Sequence, residues 1–207
     1  MRLRILLVTA RPERAALIER ALAGAKNAVA ACIQPDDDIG LYVRESRPDA
    51  VIIEVEEPTA GLLQQLQRLL TEQPLPVAVF ADRSDNDSLR AAMRAGVGTF
   101  VVDGFRPGRV AMVLEAACLR FSEIQALRRE RDRAVSQLTE RRTVEHAKNI
   151  LIRQHGLSDD SAQQTLRDQA SDSGQELAGA AREVIAVEEQ RIQDRATASL
   201  RRYAERK

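Results

Sequence analysis

Apolar residues in the first half of the chain fall in short unbroken runs, and in the second half they recur every three or four positions. Arg4 to Val8 (RILLV) is too short for a helix and reads as a buried strand. Pro12 and Glu13 can open a helix that continues through Ala15, Leu17, Ile18 and Leu22, because proline is tolerated in a first turn. Further strands are expected at Ala28 to Ile33, Asp49 to Val55, Pro76 to Phe80 and Thr99 to Val102. The third is apolar until Glu54, as suits a strand covered on both faces. Amphipathic segments at 60–71, 86–95 and 107–121 separate the later strands. This alternation predicts a doubly wound α/β domain with a five-stranded parallel sheet over residues 1–121.

From Val110 the spacing changes. Val110, Leu114, Ala117, Phe121 and Ile124 alternate at four and three, and the same register then meets Arg128, Arg131, Val135 and Leu138. No proline or glycine interrupts the segment before Gly156. The pattern predicts a coiled-coil helix over 110–140 that pairs with a second copy through 110–138. A lone helix packed on the first domain and followed by a solvated linker is the other reading.

Residues 139–187 read as a small all-α module of three helices. On the first, Arg142, His146, Asn149 and Arg153 form one narrow stripe, flanked by Arg141 and Lys148. Val144, Ala147 and Leu151 lie opposite and should point inward. Gly156 ends this helix, and Ser158 caps the next, with Asp159 and Asp160 in its first turn. Ala162, Thr165, Leu166 and Ala170 form its apolar side until Gly174 breaks it. The third helix is expected from about Gln175 through Leu177, Ala181, Val184 and Ile185. Residues 188–207 read as a helical or frayed tail, in which Arg201, Arg202 and Tyr203 could add a contact. The stripe is either a patch for polyanions or an ordinary solvated face.

Charge sharpens that choice. The chain carries 31 basic and 31 acidic residues. Residues 139–187 hold six basic and eight acidic side chains and no aromatic, whereas the tail holds six basic and four acidic. Counterion release drives most nonspecific nucleic-acid affinity, so the distribution matters more than the total. Cys32 and Cys118 lack metal spacing and read as buried apolar positions in a reducing cytosol. No apolar run reaches the roughly 20 residues that span a bilayer, so a cytoplasmic protein is expected. Asp36, Asp37 and Asp38 suit a loop and helix start better than a metal site. His146 and His155 have no nucleophile or ligand set near them, and no enzyme, metal or cofactor is expected.

The order of elements over 1–121 resembles the receiver domain of bacterial response regulators. That family holds magnesium with acidic residues after the first strand and phosphorylates an aspartate ending the third. A hydroxyl residue follows its fourth strand and a lysine its fifth. This chain has Thr9, Ala10 and Arg11 at the first place, Glu54 at the phosphoacceptor-like place, Ala81 for the hydroxyl and Asp103 for the lysine. Magnesium needs hard oxygen ligands, and phosphoryl transfer needs its charge stabilised, so the resemblance implies a pseudo-receiver that is not phosphorylated. Glu54 reads as a solvated strand-end carboxylate or as a fixed negative charge.

The run VEHAKNILIRQHGLSDDSA and the later Leu166 and Arg167 resemble the ANTAR domain, a helical module that binds RNA hairpins in transcription antitermination. Ala147 and Lys148 match its Ala-Lys pair, and Leu166 and Arg167 its Leu-Arg pair. Asn149 replaces the usual glycine, Gln163 the usual aromatic, and Ser173 to Glu176 the usual basic loop. The resemblance points to the antiterminators of amidase and nitrate-assimilation operons. It implies RNA contacts from Arg142, Lys148 and Arg167, to which the helix pattern adds Arg141 and Arg153. It further implies two-hairpin leader RNA as ligand and restraint by a ligand-sensing partner protein, with no phosphorylation. The alternative is a protein-interaction regulator or decoy whose module no longer binds RNA.

Overall fold

Five apolar runs pair into one parallel sheet in a computed structural model, which describes the backbone of residues 2–103 and 105–204 and side chains as far as residue 198. The strands are β1 (Arg4–Thr9), β2 (Ala28–Ile33), β3 (Ala50–Val55), β4 (Val77–Ala81) and β5 (Thr99–Val102). Their order across the sheet is β2-β1-β3-β4-β5. Helices α1 (Pro12–Gly24), α2 (Ile39–Ser46), α3 (Ala60–Glu72) and α4 (Asn86–Ala95) connect them. A 3-10 turn at Pro107–Arg109 leads into α5 (Val110–His155), followed by α6 (Asp159–Ser173) and α7 (Leu177–Ala204). The chain divides into two compact units, one ending at Leu127 and one beginning at Arg128.

The doubly wound sheet follows from period-two alternation within buried strands. Leu6, Val8, Val51, Ile53, Val77 and Val79 join Val43, Leu62, Leu66 and Ala92 on one face. Ile5, Leu7, Ile52, Ala78 and Phe80 join Ile18, Leu22, Val110, Leu114 and Ala117 on the other. The first part of the expected self-pairing seam is therefore corrected: Val110, Leu114 and Ala117 are core residues of their own domain. Gly98 permits this packing, since a Cβ there would lie 3.2 Å from the Cα, Cβ and O of Ala117. Gly98→Ala should lower stability by about 1–3 kcal/mol through overpacking, as a thermal melt can measure. The cysteine reading is also corrected. β2 is an edge strand, and Cys32 is exposed on it, while Cys118 is only partly covered.

Asp38 caps α2 by accepting the Leu41 N–H at 3.0 Å, which gives the acidic run its structural use. Asp85 caps α4 likewise, and its hydrogen bonds from Ser88 hold its carboxyl below the usual range.

The second unit is built around Ala147, Leu151, Ala162, Leu166 and Ala181. Val144, Leu157, Leu177, Val184 and Ile185 lean on that centre. Gly156 and Gly174 take left-handed conformations (φ 62° and 64°) that let the chain turn after α5 and α6. Ser158 accepts the Ser161 N–H at 3.2 Å and starts α6. α7 runs well past the expected end near Ile185, because no glycine or proline follows Gly179. The side chains of Arg201, Arg202 and Tyr203, read as a supplementary contact, lie outside the described residues.

Candidate nucleic-acid interface

The sheet's C-terminal edge is where a doubly wound fold places its chemistry, and parallel pairing sets Thr9 beside Glu54 there. Glu54 is only 1% exposed, which corrects the solvated reading. Thr9 Oγ1 donates to Glu54 Oε2 at 2.7 Å, and Arg11 Nε donates to the same oxygen at 3.2 Å. Arg11 Nη2 pairs with Glu54 Oε1, and its Nη1 pairs with Asp82. Arg14 comes within 3.7 Å of Glu54 and 3.5 Å of Asp82, with its guanidinium carbon 4.3 Å from the centre of the Phe105 ring. Phe105 in turn meets Phe80 edge-on, their centroids 5.8 Å apart.

Two guanidinium groups thus balance two carboxylates, and both acids are committed to internal partners. Hydrogen bonding to Asp82 and Glu54 holds the Arg11 guanidinium above its ordinary value against the opposing cost of burial. Ala81 is buried and offers no hydroxyl. Asp103 adopts a left-handed backbone (φ 48°) after β5. The sequence reading missed Asp82, Arg14 and Phe105. Arg14 lies three residues after Arg11 and therefore one helical turn away, a spacing visible in the sequence.

In the second unit, Arg141, Arg142, His146, Asn149 and Arg153 are exposed along α5, and Arg167 is exposed on α6. The residues Val144, Ala147 and Leu151 occupy the opposite side of α5, facing the module core. Lys148 sits elsewhere than the stripe. It is 5% exposed, and its Nζ donates to Asp159 at 2.8 Å and to Glu145 at 3.3 Å. The bond to Asp159 keeps its ammonium above the ordinary lysine value. Asp159 belongs to the first turn of α6, so Lys148 fastens α6 to α5. Leu166 is buried at the centre, and its neighbour Arg167 looks outward. The structure therefore gathers Arg141, Arg142 and Arg153 on one helix, sets Arg167 on another, and withdraws Lys148 into an ion pair.

A groove lies between α5 and α7, about 330 Å³ in volume, with His146, Ile150, Arg153, Ile185 and Ile192 among its lining residues. Arg191 Nη1 donates to Gln154 Oε1 at 2.9 Å along it. Among the described residues no group of three or more His, Cys, Asp or Glu is placed to hold a metal ion. Nor is any of the described helices long and apolar enough to cross a membrane.

Comparison with known proteins places these features. The ANTAR domain model matches residues 132–185, the span that carries the stripe, Lys148 and Leu166. The transcriptional regulatory protein PdtaR of Mycobacterium tuberculosis (strain CDC 1551 / Oshkosh) is 29% identical over 116 residues, 56% of this chain. The same protein from strain H37Rv gives the same figures, and the chain spans 57% of the length of these relatives. Two solved structures share the fold of the first unit. The signal receiver domain of a modulated diguanylate cyclase from Desulfovibrio desulfuricans G20 has TM-score 0.51 at 15% identity, covering 59% of this chain and 98% of its own. A two-component response regulator of the LuxR family from Aurantimonas sp. SI85-9A1 has TM-score 0.51 at 20% identity, covering 57% and 86%. The chain thus joins a first unit of receiver-like fold to a segment matched by the ANTAR domain model, and over 116 residues it is similar to the PdtaR transcriptional regulatory proteins.

Proposed function

We propose that this protein binds leader RNA hairpins through its ANTAR module and regulates transcript elongation as an antiterminator, with no enzymatic activity of its own. The exposed stripe of Arg142, His146, Asn149 and Arg153 on α5 carries the reading, because it presents cations and hydrogen-bonding groups along one line. Arg141 and Arg167 extend the patch. The test is fluorescence anisotropy of the purified protein with a two-hairpin RNA across a salt series, against a scrambled RNA. Preference for the hairpins with a steep salt slope supports the reading, and equal binding of both RNAs removes it.

Lys148 enters as a positioning residue. Its ammonium already has two carboxylate partners and little access to solvent, so a phosphate would have to displace Asp159. Arg142→Ala and Arg153→Ala should each flatten the salt slope by about 0.7–0.9, the release expected per phosphate contact. Lys148→Met should weaken RNA binding while leaving that slope unchanged. A slope change as large as that of Arg142→Ala would return Lys148 to the contact surface.

Regulation follows from the first unit. With Glu54 committed to Arg11, Arg14 and Thr9, the receiver is proposed to act without aspartyl phosphorylation, under restraint by a ligand-sensing partner protein. A small phosphodonor with magnesium should label no residue of the β3 edge, as intact-mass spectrometry can check. Stoichiometric labelling there would end the claim.

A second reading has its own observation. Within 139–187 the acids outnumber the bases eight to six, and the ion pairs of Lys148 withdraw one of those bases from the surface. A module so charged suits a protein-interaction regulator that has lost RNA, and failure of every RNA in the anisotropy series would favour it.

A further inference from the structure

Ile185 and Ile192 stand seven residues apart on α7, close to two turns, so both fall on one side of that helix. With Ile150 of α5 they give the groove between the two helices an apolar lining. Ile150 is 4% exposed and Ile192 57%. Ile192 lies past residue 185, where the ANTAR match ends, so this part of the lining is an addition to the matched module.

One polar atom of a lining residue has no partner. Arg191 Nη1 donates to Gln154 Oε1 at 2.9 Å, and Glu188 holds the same guanidinium at 3.6 Å. That bond orients the amide, with its oxygen toward Arg191 and its nitrogen turned away. Gln154 Nε2 is buried, and among the described residues it is the one buried side-chain nitrogen or oxygen without a hydrogen bond. A buried donor left unsatisfied costs stability, and a ligand that brings an acceptor to it removes that cost. A lining side chain must move aside to admit the ligand, and the exposed Ile192 has room to do so.

Charge and size select the ligand. Glu188 and Glu189 line the groove, where they repel a phosphate but can accept N–H groups. His146 and Arg153 line it from α5 and belong also to the exposed stripe. A nucleotide whose phosphate meets the stripe therefore has its base within reach of the groove. A volume of about 330 Å³ is near the lower end for ligand pockets, enough for one base and too little for a helical stem. Splayed bases are read by hydrogen bonds to their edges and by packing on apolar side chains or on Arg and His planes. Residues 139–187 contain no Phe, Tyr or Trp, and the isoleucines supply the packing surface in their place.

We propose that the α5/α7 groove takes one unpaired base of the RNA, packed on Ile150, Ile185 and Ile192, with its edge hydrogen-bonded to Gln154 Nε2. This rests on the RNA reading above and adds to it a site that reads a base, apart from the stripe that meets phosphates.

The experiment measures anisotropy of the full chain, and of its Ile192→Ser and Gln154→Leu variants, with a two-hairpin RNA and with copies in which each loop nucleotide in turn is abasic. At one loop position the abasic copy should bind the unaltered protein about tenfold more weakly, within the range for one base contact. Each variant should lose about as much on the intact RNA, keep its salt slope, and lose nothing further on that abasic copy, because both changes remove the same contact. Ile192→Ser changes an exposed side chain beyond the module core, so its result does not depend on a weakened fold. Variant losses that add to the abasic loss at every position overturn the groove assignment, and so does a shallower salt slope, which would put a phosphate there. Full affinity in both variants overturns it as well and leaves the groove to a protein partner. If no RNA binds at all, the RNA reading falls and takes this proposal with it, whereas hairpin binding with additive losses removes the groove alone.

Discussion

Arg11→Met should destabilise the receiver unit by about 2–4 kcal/mol, because it leaves the buried Glu54 carboxylate with one weak ionic partner. Thr9 keeps its hydrogen bond, and Arg14 stays 3.7 Å away, too distant to replace a direct hydrogen bond. The estimate sits below the cost of a fully buried pair because Arg11 is itself about one-third exposed. Glu54→Gln should cost less, about 1–2 kcal/mol, since the arginines can turn toward solvent while the amide still meets Thr9. The double variant should recover part of the Arg11→Met loss, which marks a true coupling between the pair. Urea unfolding can follow this selectively. The chain has no tryptophan and two tyrosines, so Tyr203→Phe leaves Tyr42 of α2 as sole fluorescent reporter. A loss below about 0.5 kcal/mol for Arg11→Met, within the range of ordinary surface changes, would mean that the network is incidental.

Leu166→Ala should have the largest effect on the second unit, about 2–5 kcal/mol. Leu166 is fully buried, and the cluster around it contains only four other buried residues, three of them alanines. In so small a core one leucine is a large share of the packing, and small domains have little stability to lose. The expected outcome is loss of helical circular dichroism and of RNA binding together, with the Tyr42 transition unchanged. Leu166→Met, which conserves volume, should cost under about 1.5 kcal/mol and retain binding. If Leu166→Ala keeps full RNA affinity, the folded three-helix arrangement is not what recognises RNA.

The sheet was legible in the sequence because the three central strands are covered on both faces and almost uniformly apolar, and the partly buried edge strands β2 and β5 are apolar runs as well. β2 and β5 coincide with their expected limits, and β4 is shifted by one residue. Helix ends were legible where glycine or a capping side chain marks them, as at Gly156, Ser158 and Gly174. The end of α7 was not, since nothing in its composition stops a helix. The site residues were harder. Glu54 meets partners 40 and more positions away, so its burial depends on strand pairing that periodicity cannot show. Lys148 lies at the border between the outer stripe and the core face of α5, and only the turn at Gly156 brings Asp159 up to it. Cys32 was misjudged because an apolar strand looks the same at an edge as at the centre until its neighbours are known.

The arginines that pair with Glu54 near the end of β3 have a consequence for how the sheet domain meets its surroundings. Guanidinium groups keep their protons at any pH a cell experiences. The negative charge of Glu54 is therefore answered by the chain's own atoms, with no demand on dissolved cations. Chelators, magnesium starvation or swings in high-energy phosphate should leave this domain's shape and melting point where they were. Under the proposed phosphorylation-independent reading, the state of this domain would not follow the metabolic supply that sets a metal-dependent receiver.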